Sequence, residues 1–202
     1  MEASELLCTM ALALPVPAQD CQVELIQHAV GTNWRQQNPQ ARDQVLALSE
    51  SLIHSGPFSG KLVGISDLAG RLPAELLSAS QRRLALSVTS RIWCERRLVG
   101  HIALMNLHPE GFSDLDELAR GVSAVVHGRP GQLVRSGRYY HYYGHGLLSE
   151  QEWLDFVAQF LMPCTLVSPR YVGHSLIRRF CALRLNAVPP HKPETPLVVS
   201  AV

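Results

Sequence analysis

The chain has 202 residues, a net charge of +1 at neutral pH, and 47% hydrophobic against 17% charged residues. That allows one large domain with a sizeable core, or a domain with a helical appendage. It excludes a chain-wide basic field of the kind that binds nucleic acid indiscriminately, and no apolar run approaches the ~18 residues of a membrane span.

The opening stretch, Met1 to Leu14, is apolar but carries Glu2 and Glu5 and no basic leader, so it does not read as a signal peptide. Cys8, Cys21, Cys94, Cys164 and Cys181 show no metal or redox spacing and are expected as reduced, mostly buried thiols of a cytoplasmic protein. Glu5 to Leu14 is expected to be a helix closed by Pro15 and Pro17. Asp20 would cap a second, Cys21 to Val30, ended by Gly31. A third follows Asn38-Pro39, with Val45, Leu46, Leu48, Leu52 and Ile53 at helical spacing, up to Gly56-Pro57. His28 and His54 fall near helix ends and read as surface histidines. Residues 1–60 thus form a helical extension.

Leu62 to Leu84 is irregular, with one helix over Pro73 to Ser80. From Leu84 the texture changes. "LALSVTSRIW" and "LVGHIALMNLH" are strands joined by "CERR" as a hairpin. "SDLDELARGVSAVV" is a helix capped by Ser113, with Asp116 at the capping-box position. "QLVRSGRYYHYYG" is a strand, and "SEQEWLDFVAQFLM" a helix capped by Ser149 and Glu152 with Trp153, Phe156, Val157 and Phe160 on one face. "CTLV" is a short strand, "SPRYVGH" a turn, "FCALRLN" a last strand, and Pro189 to Val202 an extended tail. The expected fold is α+β, with helices packed on one side of a primase/RRM-like sheet. The domain would span 61–193, leaving 194–202 as the tail.

Three clusters carry chemistry. Asp114 and Asp116 open a helix, where i and i+2 diverge by ~200°, so capping explains them better than metal binding. Four of the five tyrosines surround His141. On a strand, Tyr139, His141 and Tyr143 share one face and Tyr140 and Tyr142 the other. Gly137 marks a bulge or a close approach by a ligand, which would bring Ser136 or Arg138 to the histidine's face. Ser, Arg, His and Tyr all donate to phosphate oxygens. The structural alternative is an edge strand whose tyrosines merely pack on helices. Third, Arg170, His174, Arg178, Arg179 and Arg184 lie in a stretch from Pro163 to Pro193 without an acid. It is a phosphate-facing patch or a solvated basic face.

"SGRYYHYYG", "LLSEQEW" and "VSPRYVGHSL" resemble the SGRS-HYYG strand, LLS-x-x-EW helix and VD-x-R-W-x-GH-x-L turn of a bacterial primase 1D-like branch of the archaeo-eukaryotic primase superfamily. The resemblance covers about residues 85–193. It implies a nucleotidyltransferase domain in which His141, Ser136 and Arg138 are catalytic. Arg170, His174, Arg178, Arg184, Tyr139 and Tyr143 would bind nucleotide phosphates or single-stranded nucleic acid, with no membrane partner. It also implies Mg²⁺ or Mn²⁺, yet the metal-ligand positions fall on Asn106, His108 and Ser168, none a carboxylate. Two-metal phosphoryl transfer needs hard anionic oxygens; Asn and His suit one softer ion such as Mn²⁺. Two other readings stand beside this: a non-catalytic module on a degenerate primase fold that binds nucleic acid or a protein partner, and an unrelated α+β interaction protein.

Overall fold

The computed structural model describes residues 1–29, 59–108, 111–163 and 165–202. Its sheet comprises β1 (Cys21–His28), β2 (Ser59–Gly64), β3 (Ala85–Cys94), β4 (Arg97–Leu107), β5 (Gly131–Ser136), β6 (Tyr139–Leu148), β7 (Ala182–Arg184) and β8 (Leu197–Ala201). The helices are α1 (Ala3–Leu12), α2 (Leu68–Gln81), α3 (Leu115–Val125), α4 (Glu150–Gln159) and α5 (Pro169–Arg178). Every pairing is antiparallel, in the order β2-β1-β3-β4-β6-β5-β8, with β7 attached to β3. The fold is α+β, as expected.

Several expectations need correction. Cys21 to His28 is a strand, not a helix, and its ladders with β2 and β3 cross the expected boundary at residue 60. Buried Cys21, Val23 and Leu25 alternate with half-exposed neighbours, the signature of a strand. α1 is no appendage, because Leu6 and Leu7 lie in the same core as the sheet. Cys21 and Cys94, directly opposite on β1 and β3, are joined as a disulfide rather than left as thiols. The helix expected after Asn38-Pro39, together with His54, lies outside the described residues. The supposedly irregular stretch after Leu62 continues β2 and then forms α2, which begins at Leu68 and carries Pro73 inside it.

The β3–β4 hairpin forms as expected. Its two turn residues, Glu95 and Arg96, have φ of 48° and 63°, the left-handed pair a tight hairpin needs to match strand twist. α3 is capped one residue later than expected: the Asp114 carboxylate accepts from the Glu117 N–H at 2.8 Å, and the Glu117 carboxylate accepts from the Ser113 N–H. α4 carries its full capping box, Ser149 with Glu152. Residues 165–167 are not a strand, and "SPRYVGH" is not a turn. Ser168 is the N-cap of α5 and Pro169 its first residue, a position where the missing N–H costs nothing. The last part of the tail is β8, on the edge beside β5.

"QLVRSGRYYHYYG" is two strands, not one. Gly137, at φ 71°, makes the turn between β5 and β6 instead of a bulge, and Ser136 pairs with Tyr139 across it. β6 pairs with β4 so that Asn106 faces His141 and Met105 faces Tyr142. The tyrosines alternate as read. Tyr142 turns to α4, its ring 6.2 Å from that of Phe156, and its hydroxyl donates to the Arg129 carbonyl at 2.8 Å. Gly131 and Gly144 lie opposite each other beneath that ring. A Cβ on Gly131 would stand 2.4 Å from it, so no side chain fits there. On β4, His101 stacks on Trp153 of α4 with centroids 4.6 Å apart. α4 therefore covers the face bearing His101 and Tyr142, and leaves the His141 face to the site.

Candidate phosphate-binding cavity

β3 is bordered by β4 along residues 91–94 but by the short β7 along residues 87–89. The sheet forks there. At the fork lies a cavity of about 200 Å³. β4 contributes Asn106; the β5–β6 hairpin contributes Ser136, Tyr139 and His141; β7 contributes Ala182 and Arg184. His28 at the end of β1, and Ala85 and Ser87 of β3, supply another wall, and Lys192 comes in from the tail. Among the described residues no aspartate or glutamate lines it, and no group of three or more His, Cys, Asp or Glu could hold a metal ion.

His141 is 5% exposed, and its Nδ1 is buried without a hydrogen-bond partner. Burial, with the charges of Arg184 and Lys192, holds its pKa down to about 3, so the ring is neutral at ordinary pH. Arg184 is a clamp. It donates to the Ser136 hydroxyl at 2.8 Å, to the Glu194 carbonyl at 2.9 Å and to the Asn186 carbonyl. Ser136 thus reaches the cavity already engaged, as an acceptor for Arg184. His28 is held the same way: Nδ1 donates to the Ala29 carbonyl at 3.1 Å, leaving Nε2 to accept from Ser87 Oγ at 3.0 Å. Burial first, and then the field of Arg178, lower its pKa.

At the rim, Tyr139 stacks on His108 with centroids 4.3 Å apart. The same ring carries the Arg138 guanidinium at 4.8 Å and the Lys192 ammonium at 5.0 Å. Burial, followed by repulsion from Arg184 and Arg138, holds the Lys192 pKa below its ordinary value.

The fork gathers Asn106, Ser136, Tyr139, His141 and Arg184 from the residues the sequence singled out, with His108 and Arg138 against Tyr139 at the edge. It does not gather them all. Ser168 caps α5 and is not part of the lining. Arg170, His174 and Arg178 are one helical turn apart along α5, with Arg170 Nε 3.4 Å from His174 Nε2. None of the three is among the described lining residues, and the field of Arg178 reaches His28 at the wall. Tyr143 shares the His141 face but is fully buried in the core, its hydroxyl without a partner, and it is not among the described lining residues. His28, expected as a surface histidine near a helix end, instead closes a strand and lines the cavity, and Ser87 and Lys192 were not singled out. For Lys192 the available signal was a cation between His191 and Pro193, at the end of a stretch without acids.

The family model described as archaeo-eukaryotic primase 1D-like matches residues 65–197. Among solved structures, the archaeo-eukaryotic primase domain of the cyanophage S-2L primase-polymerase superposes with a TM-score of 0.52 at 11% identity, over 100% of this chain and 91% of that one. That likeness is one of fold. No curated protein matches the sequence.

Proposed function

The chain belongs to the archaeo-eukaryotic primase family in its primase 1D-like form, and from that premise we propose a nucleotidyltransferase-type domain whose cavity takes the phosphates of a nucleotide or of single-stranded nucleic acid. Membership removes the reading of an unrelated interaction protein. One observation carries the proposal: neutral His141, its Nδ1 buried and unpartnered, lines the same cavity as Arg184 and Lys192, with no acid among the described lining residues. A phosphate oxygen would meet two cations, and His141 donates through whichever ring nitrogen carries the proton.

The residues do not fit the metal pair of primer synthesis. Mg²⁺ requires carboxylate oxygens, and the lining offers an amide, imidazoles and hydroxyls. Polymerisation with Mg²⁺ is therefore expected to be weak. A module that binds without chemistry is the second reading, favoured by the lack of an acid among the described lining residues.

The experiment is titration of nucleoside triphosphates and single-stranded DNA into the protein and its His141→Ala and Arg138→Ala variants, beside a template-extension assay with Mg²⁺ and with Mn²⁺. Each variant should lose roughly tenfold or more in affinity, as for one charge-assisted hydrogen bond. Unchanged affinity in both would remove this strand from the site. Robust Mg²⁺-dependent extension would show that metal ligands lie elsewhere.

A further inference from the structure

Among its described lining residues the cavity has cations and none of the acids that two-metal chemistry would require. Arg184 and Lys192 line it, and Arg138 and Lys192 both lie about 5 Å from the Tyr139 ring. Among the described residues none of the three forms an ion pair; the carboxylate whose field reaches Arg184 is that of Glu194, an exposed residue. The hydrogen bonds of Arg184 explain that residue as a clamp. They do not explain Lys192. Its backbone is fixed by a two-way bridge with Val188, at 2.6 and 2.8 Å, and this holds a half-buried ammonium beside two guanidinium groups. Lys192 and Arg184 are shielded from water while Arg138 is exposed, and holding like charges together where water is partly excluded is unfavourable unless an anion joins them. The size of the cavity limits that anion. About 200 Å³ is below the roughly 300–1,000 Å³ of sites that engulf a whole drug-sized ligand. It suits the phosphate end of a nucleotide, with the nucleoside left at the rim beside Tyr139 and His108.

We infer that Lys192, with Arg184 and Arg138, supplies the positive charge that a divalent metal supplies in two-metal chemistry, so that a terminal phosphate or polyphosphate binds without a metal ion. This deepens the phosphate-binding reading above and rests on it. A terminal phosphate carries more charge than the diester inside a nucleic-acid chain, and a three-cation site prefers it for that reason.

The test is calorimetric titration of the full chain with ATP, inorganic tripolyphosphate, adenosine and single-stranded DNA lacking a 5′-phosphate, each in chelator and then with Mg²⁺. ATP and tripolyphosphate should bind in chelator about as tightly as with Mg²⁺, and adenosine not at all. Lys192→Gln should weaken both by roughly tenfold, the loss expected of one charge-assisted contact, while Lys192→Arg retains binding. Arg138→Gln, at an exposed turn, gives the same reading should Lys192→Gln fail to fold. Binding that needs Mg²⁺ would overturn the inference and leave the nucleotide site standing. Adenosine or unphosphorylated DNA binding as tightly as ATP would overturn it as well. No binding of any probe in either condition would overturn the phosphate-site reading itself.

Discussion

Acid should unfold this protein earlier than its carboxylates alone would dictate. His141 and His101 are both buried, and burial is the first cause holding their pKa values down, to about 3 and about 4 against an ordinary 6.5. A neighbouring cation adds to each: Arg184 and Lys192 at His141, Arg91 at His101. Between pH 4 and 6.5 the unfolded chain binds two protons that the native state refuses, so stability is complete above 6.5 and declines as pH falls. Each proton contributes a slope of about 1.4 kcal/mol per pH unit, so two of them remove about 5 kcal/mol between pH 6.5 and 4.5. That is a large part of the 5–15 kcal/mol by which native domains are typically stable. The helix-capping carboxylates Asp114, Glu117 and Glu152, held low by hydrogen bonds at their helix starts, act in the same direction but only from about their ordinary 3.8–4.5 downward. Urea unfolding at half-unit steps from pH 7.5 to 4.5 separates the two effects. His101→Gln and His141→Gln should each flatten the slope by about one proton. A wild-type curve flat from pH 7 to 5 would refute the reasoning, because the histidines would then not be neutral by burial.

Two further outcomes concern the scaffold. Trp153, wholly buried and stacked on His101, should cost about 3–5 kcal/mol on replacement by Ala, read from urea midpoints; a loss under about 1 kcal/mol would mean that α4 is not anchored by it. The Cys21–Cys94 disulfide spans a sequence separation of 73 residues, a closure worth about 4 kcal/mol in the chain-entropy account. A dithiol reductant, or Cys94→Ser, should lower the urea midpoint accordingly, and equal midpoints with and without reductant would show the two thiols unpaired.

The parts legible in the sequence are those where one local rule dominates. Alternation along Tyr139–Tyr143 gave the two faces of β6, and Ser149 with Glu152 gave the start of α4. β1 was misread because Leu25 and Ile26 are both buried in succession, near a register shift against β3, so the period of two is broken and a helical stripe fits as well. α5 was misread because Pro169 and Gly173 look like turn residues; proline at a first helical position and a non-glycine left-handed end at Arg179 hide the helix. Gly137 was recognised as special, but turn and bulge demand the same permissive backbone. The cavity was only half legible. Its β6 wall is local, whereas Lys192 and His28 reach it through tertiary pairing that no window of sequence displays.

The ladders that join β1 to β3 and β8 to β5 also set where the chain can be cut. The family match runs from 65 to 197, yet β1 lies before it and β8 almost wholly after it. A fragment trimmed to those limits would turn β3 into an open edge and strip β5 of its outer neighbour. Cys94 would lose its bonded partner and the cavity its His28 wall. The unit that folds cooperatively is therefore larger than the stretch that identifies the family. Dissection at the family boundaries would yield a sheet with two raw edges, prone to pairing with copies of itself.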